Sequence, residues 1–355
     1  MSNFDFLSGK PQFEKLLQAA VTAENLMAFS DDASHSVLAA RKALEIAINW
    51  IYSVDPSLVA PQEVTLFNLT TTREFRTLAG EKILSYIHTI RQLGNKVAHS
   101  SVEPLKRDDG IAILYCLFRI LDWIDQVYGK GSRKHFFDEH QIPNVHQGST
   151  AVGTTVESAS PVPTVETLKE LNKTFAAEAV SNKEKGLSSY CPSPCDERTE
   201  AITRKIFIDQ QLADAGWHIE TGLAVEFPVE GMPSASGKGR VDYVLFDGAN
   251  PLAVIEAKKT SVDTSVGLKQ ANLYADCLEK KFGLRPFVFL ANGYTIEFEG
   301  DGYPRRKVGG FFSKEDLQKL HYRKEHRIHL SPVNAESIKP IAGRYYQIEA
   351  ITRIC

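Results

Sequence analysis

The stretch from Arg240 to Lys259 (RVDYVLFDGANPLAVIEAKK) limits the folds open to this chain more than any other. Two runs rich in Val, Ile, Leu and Phe flank Asp247-Gly-Ala-Asn-Pro251, which is turn chemistry, so the stretch reads as a β-hairpin. Side chains alternate faces along a strand. Glu256 and Lys258 therefore point the same way, and Asp242 can face them from the partner strand. Their neighbours Val254, Ile255 and Ala257 are apolar, and charge buried in such a frame is costly unless it is paired or binds a metal. Two carboxylates converging beside one ammonium make a candidate Mg²⁺ site, with Asp242 and Glu256 as ligands. Lys258 is then placed for a nucleophilic water or a phosphate. An E-x-K tripeptide alone is also what an ordinary surface hairpin carries; the upstream Asp, the spacing and the apolar frame favour the site.

A helix follows the hairpin, and Gln270 and Tyr274 lie four apart on one of its faces. The combination D-x13-E-A-K then Q-x3-Y resembles the PD-(D/E)xK nucleases, in the branch with a Gln/Tyr helix motif. It is similar in particular to the N-terminal nuclease region of type I restriction enzyme R (HsdR) subunits. Val241 stands where the motif's name has Pro, a position that carries no chemistry. The resemblance spans about residues 196–300. It implies a restriction-endonuclease-like α/β domain with a mixed sheet, and Mg²⁺-dependent cleavage of double-stranded DNA as a type I site-specific deoxyribonuclease. It also implies roles: Asp242 and Glu256 hold the metal, Lys258 acts on the attacking water, and Gln270 and Tyr274 position the DNA backbone or the lysine. An opening helix in that family carries a Glu near the metal, for which Glu200 is the best match and Glu197 the second. Acids in a first helical turn also suit the helix dipole, which suffices to explain both.

The chain has 355 residues, room for two or three domains, with 43% hydrophobic and 24% charged residues. A net charge of -3 argues against a generic nucleic-acid coat but leaves room for a local basic groove. Five scattered cysteines include one lone pair, Cys191 and Cys195, without a second pair at zinc-finger spacing. The most apolar stretch, Ile111–Val127, is interrupted by Arg119, Asp122 and Asp125, so it reads as a core helix and not a membrane span. The opening residues hold no apolar signal run, and a reducing cytoplasm is the expected location.

Residues 1–147 read as an all-α bundle, with helices from about Phe13, over Ser34–Tyr52, over Glu81–His99 and from Asp108 to Tyr128. The segment Arg91-Gln-Leu-Gly-Asn-Lys-Val-Ala-His99 resembles small HEPN-like helical domains, whose ribonuclease members use an Arg and a His. Asn95 stands where that pattern has Arg, so a structural or partner-docking role is expected in place of RNA cleavage. Gly94 inside this helix costs about 1 kcal/mol relative to Ala, and close backbone packing would explain it. Residues 148–195 read as a linker with one helix near Thr164–Asn182 and a second irregular stretch, Lys183–Pro194.

Within 196–300 the pattern is helix, short strand (Val225–Val229), a Ser234–Gly239 loop, the hairpin, a Val266–Lys281 helix, then strands over Arg285–Leu290 and Tyr294–Phe298. Residues 301–355 read as a connecting segment. Ser313 opens a capped helix, and Lys319, His321, Arg323, Lys324, His326 and Arg327 form a dense basic run, either a phosphate contact or a solvated face. Ile341–Ile351 resembles the Q-motif that opens the helicase core of R subunits, in which Gln347 would read the adenine of ATP. No Walker A sequence occurs, so the expectation is a piece of a longer translocating subunit or a natural truncation. The resemblance implies modification and specificity subunits as partners, beside duplex DNA, and no membrane. The rival readings are a DNA- or partner-binding module without cleavage, and a HEPN-type RNA-processing protein.

Overall fold

The computed structural model describes residues 2–99, 104–129, 134–144, 162–191, 197–233, 237–257, 265–293, 295–300, 302–326 and 343–354. The first part is helical: α1 (Glu14–Asn25), α2 (Ser34–Val54), α3 (Leu66–Thr71), α4 (Arg73–His99) and α5 (Arg107–Tyr128), followed by α6 (Val165–Leu171) and α7 (Lys173–Ser189). Helix α5 is buried on nearly every side from Gly110 to Asp125, which makes it the centre of the bundle. The charges that interrupt its apolar run are paired inside: Arg119 with Asp122 at 3.7 Å, and Asp125 with Lys10 at 2.6 Å.

Three readings of this part change. Helix α4 starts at Arg73 and kinks at Gly80, so the helix expected from Glu81 is its second limb. The Lys183–Pro194 stretch, expected to be irregular, is helical as far as Ser189 in α7. Tertiary contacts hold it: Lys183 Nζ meets Asp55 Oδ2 at 2.6 Å, and Asn182 donates to the Tyr128 carbonyl at 3.2 Å. Val165, Leu168 and Ala179 are buried in the bundle core, so α6 and α7 belong to the bundle.

Helix α8 (Glu197–Asp214) leads into the second part, a six-stranded sheet in the order β1 (Leu223–Glu230), β2 (Lys238–Asp247), β3 (Asn250–Ala257), β4 (Phe287–Ala291), β5 (Ile296–Glu299) and β6 (Arg306–Val308). Among the described strands only β3 and β4 pair in parallel, and α9 (Ser265–Phe282) supplies the crossover that a parallel pair needs. The sheet is therefore mixed, as expected. Strand β2 already begins at Lys238, inside the stretch read as a Ser234–Gly239 loop, and β6 was not expected at all.

Each face of the sheet has its own apolar layer. On one face Ile208 and Leu212 of α8, Trp217 and Leu317 of α10 (Lys314–Glu325) pack on Tyr243, Leu245, Ile255, Phe289 and Phe298. On the other, Ala271, Tyr274, Ala275 and Leu278 of α9 pack on Val244, Val254, Val288 and Leu290. Residues beyond 300 thus help to build the sheet's core. A last helix, α11 (Tyr345–Ile354), carries Gln347.

Helix α8 is shared between the two parts. Phe207 lies in the bundle core, 5.8 Å from the Tyr86 ring, while Ile208 and Leu212 face the sheet. Gln92 of α4 donates to both Asp214 carboxylate oxygens, at 3.0 and 2.8 Å. Arg198 bridges Asp108 at 3.0 Å and Glu139 at 2.6 Å. No helix among the described residues is long and apolar enough to cross a membrane.

Candidate functional site

The hairpin fixes the two carboxylates. Strand β2 pairs with β3 antiparallel, Val244 against Val254 and Tyr243 against Ile255, so the next level places Asp242 opposite Glu256. Alternation puts Glu256 on the face of Val254, the face covered by α9. Glu256 is 4% exposed, and in the parallel register of β3 and β4 it stands beside Leu290. Asp242 Oδ2 accepts a hydrogen bond from the Ala257 backbone N–H at 2.6 Å. That contact ties β2 to the residue between Glu256 and Lys258.

On the other side of Asp242 the β1–β2 register runs Val225↔Tyr243, then Phe227↔Val241. The level between them holds Glu226, whose φ of 54° lies in the left-handed region that a side chain adopts at a cost of about 1–3 kcal/mol. Its exposed carboxylate lies 3.5 Å from Arg240.

Helix α9 brings the Gln/Tyr pair over this face. Tyr274 is buried at 4% exposure, and Gln270 Nε2 donates to its Oη at 2.7 Å, as the four-residue spacing implies. The ring packs against β2 at Gly239, where a Cβ would come within 2.7 Å of Tyr274 Cε1. Glycine is required there by the close approach of helix and strand.

The other sequence candidates are placed less completely or lie on other elements. Lys258 follows Ala257, the last residue of β3, and lies outside the described residues. Glu200 and Glu197 both lie in α8, but their side chains lie outside the described residues. Gln347 is exposed on α11. In the helical part, Arg91 contacts His88 Nδ1 at 3.2 Å and lies over the Phe67 ring at 4.9 Å, while the His99 side chain is outside the described residues.

One polar pair near the site was not anticipated. Tyr243, next to Asp242, donates its hydroxyl to Asp209 Oδ1 of α8 at 2.7 Å. Burial pushes the Asp209 carboxyl above the usual carboxylate range, and burial together with Asp209 pushes the Tyr243 hydroxyl up as well. Asp209 lies among Ile206, Phe207, Ile208 and Leu212 in sequence, and only the facing tyrosine reveals its partner.

Chemically, the described donors are hard oxygens. No group of three or more His, Cys, Asp or Glu side chains is arranged around one point among the described residues. Two carboxylates suit Mg²⁺, which keeps several waters and is commonly held by one or two carboxylates together with substrate phosphates.

The comparisons with known proteins fall on this same region. Residues 223–287 match the family described as Type I restriction enzyme EcoKI endonuclease subunit second domain. Asp242, Glu256, Lys258, Gln270 and Tyr274 all lie inside the match. The Type I restriction enzyme EcoKI endonuclease subunit of Escherichia coli (strain K12) is 30% identical over 94 residues, 22% of this chain and 8% of that protein's length. No solved structure matches the chain. Over residues 223–287 the chain is therefore similar to the second domain of a type I restriction enzyme endonuclease subunit, the HsdR type of protein, and the matched stretch spans under a tenth of that relative's length.

Proposed function

We propose that the sheet-bearing part of this chain is a Mg²⁺-dependent endonuclease of double-stranded DNA with a restriction-endonuclease-like fold. The observation that carries this reading is the placement of Asp242 opposite Glu256 on one hairpin, inside the stretch similar to a restriction endonuclease subunit. Asp242 and Glu256 would hold the metal. Bound there, Mg²⁺ supplies positive charge against the phosphodiester and lowers the pKa of a coordinated water.

The chain's own groups do the rest. Hydrogen bonding to Ala257 holds Asp242 against β3, so the two carboxylates need little reorganisation before use. Lys258, two residues after Glu256 in the sequence, would orient the attacking water and offset charge on the phosphorus centre. The Gln270–Tyr274 pair contacts the DNA backbone or braces Lys258 from α9. Glu200 of α8 is an accessory acid.

The wider assignment follows the relative. In a complete subunit, an ATP-driven motor following α11 would move duplex DNA to this site, with Gln347 reading adenine, in complex with modification and specificity subunits. The helical bundle, braced on α8, would dock those partners.

Plasmid nicking in Mg²⁺ or Mn²⁺ tests the reading, with Asp242→Ala and Lys258→Ala in parallel. Cutting abolished by both substitutions is the expected result. Cutting that survives both removes the site assignment. A protein that binds duplex DNA but never nicks it, even with motor and partner subunits restored, is a binding module.

A further inference from the structure

A cavity of about 470 Å³ lies between the helical part and the sheet-bearing part, and none of Asp242, Glu256, Gln270 and Tyr274 lines it. Its walls are α3 and α4 on one side, and the end of α8 with Gly309-Gly310-Phe311, just after β6, on the other. That volume falls in the range of small-molecule sites, roughly 300–1,000 Å³, and is far more than a bare phosphate ion fills.

The kink in α4 brings two arginines to this cavity. In a straight helix Arg76 and Arg91 would stand about four turns, roughly 22 Å, apart. Gly80, whose φ of 70° glycine adopts without penalty, turns the first limb, and both residues line the same space. Arg76 is exposed, and among the described residues its guanidinium makes no ion pair. Arg91 uses one donor on His88 Nδ1 and keeps others.

Asp214 is the one acid among the described lining residues. Gln92 donates to both of its oxygens and Gln210 to Oδ1 at 3.3 Å, so about one of its four acceptor sites is left. His88 Nδ1 accepts from Arg91 while Nε2 faces Asp214 at 3.6 Å, the arrangement of a neutral ring. Two guanidiniums against one carboxylate leave the lining with excess positive charge. Burial, chiefly, and the nearby Arg41 push the Arg91 guanidinium below its usual range, with Asp214 opposing. An anion beside Arg91 would oppose both.

The remaining lining suits an organic ligand. Ile87 and Phe311 are buried and give the cavity an apolar wall. Gly309 and Gly310 have neither a left-handed φ nor an atom within 4 Å of a built Cβ, so neither conformation nor packing requires glycine there. Their N–H groups donate to no backbone carbonyl among the described residues. Bare backbone at a cavity rim permits close approach of a ligand.

We propose that this cavity binds a nucleoside monophosphate, with its phosphate on Arg76 and Arg91, a sugar hydroxyl on Asp214 and its base against Ile87 and Phe311. A phosphate monoester carries close to two negative charges at neutral pH and matches two guanidiniums. The site stands apart from the nuclease reading and needs no metal. Since both parts of the chain line it, the ligand would brace one against the other.

The experiment is calorimetric titration of the full chain with AMP in EDTA, with UMP, ribose 5-phosphate and inorganic phosphate beside it. AMP and UMP should bind within several-fold of each other, because no polar group is assigned to the base. Ribose 5-phosphate, which lacks the base, should bind about tenfold more weakly. Arg76→Ala and Arg91→Ala should each weaken AMP binding about tenfold or more, and Arg76→Lys should recover part of the loss. Arg76 is exposed, so its replacement tests the site without disturbing the core, and matched melting curves check this. AMP binding that is lost in Gln347→Ala and kept in both arginine variants places the nucleotide on α11 and overturns the proposal. Inorganic phosphate binding as tightly as AMP, or no AMP binding at millimolar concentration, overturns it as well.

Discussion

Asp242 Oδ2 and the Ala257 backbone N–H, 2.6 Å apart, join the two strands at the point where both candidate metal ligands stand. The same carboxylate therefore has a structural part and a chemical part, and substitutions can separate them. Asp242→Asn keeps an oxygen that can accept from Ala257 and loses the charge. It should fold with a melting temperature close to wild type and nick DNA about 10²-fold more slowly, the scale for removing one preorganised electrostatic group. Asp242→Leu loses both parts and should be less stable by about 2 kcal/mol, since hydrogen bonds to charged groups are worth that order. Thermal melts beside nicking rates check this, and equal stability of the two variants would contradict the structural part.

The hydrogen bond from Gln270 to Tyr274 predicts a different separation. Tyr274→Phe keeps the buried ring against Gly239 and removes only the hydroxyl, while the exposed Gln270 can turn to water. The stability loss should stay near 1 kcal/mol or below. If the pair positions DNA or Lys258, cleavage should fall by more than tenfold, and Gln270→Ala should fall alike. Wild-type rates in both variants would reduce the pair to packing.

Much of this site was legible because its chemistry is local. The Asp247–Pro251 turn and the alternating runs beside it become β2 and β3, and the four-residue spacing of Gln270 and Tyr274 becomes a real contact. Ser313 caps α10 as read, its side chain accepting from Asp316 N at 3.2 Å. What the sequence hid is set by contacts distant along the chain. Strand β6 is three residues, Arg-Lys-Val, with no apolar alternation to mark it, and only pairing with β5 makes it a strand. The last turns of α7 depend on Asp55, far away in sequence, and on Gly186, where a Cβ would come within 2.5 Å of Val127 Cα. The basic run on α10 loses a member for the same reason, because His321 turns inward.

That histidine gives a pH prediction. His321 is 6% exposed, tilted against the Phe287 ring at 4.1 Å, and its Nε2–H donates to the Leu252 carbonyl at 2.9 Å. Burial holds its pKa below the ordinary histidine value, with Lys324 adding to the effect and Glu325 opposing it. The unfolded chain therefore binds this proton more readily than the folded one. Stability is present in full above about pH 6.5, the ordinary histidine pKa, and is lost as pH falls from there through the depressed folded value. His88, lowered chiefly by burial, contributes with the same sign, so the comparison with a variant isolates His321. Urea unfolding from pH 7.5 to 5 should show a shallower decline for His321→Gln than for wild type. Parallel pH profiles would sink the assignment.

Gly94 supplies the sharpest stability test in the helical part. A glycine inside a helix normally gains about 1 kcal/mol on replacement by alanine, because alanine restricts the unfolded chain and favours the helix. Here the side chain of Arg41 on α2 crosses the glycine so closely that a Cβ would lie 2.5 Å from Arg41 Cδ and 2.9 Å from its Cβ. The δ-carbon can swing aside, but the β-carbon is fixed to the α2 backbone, so the two helices would have to separate. Such overpacking costs about 1–3 kcal/mol and outweighs the gain in propensity. Gly94→Ala should therefore lower the unfolding free energy by roughly 1 kcal/mol or more. Combining it with Arg41→Ala leaves the β-carbon contact in place and should restore only part of the loss. A Gly94→Ala variant more stable than wild type would mean that α2 and α4 do not approach this closely.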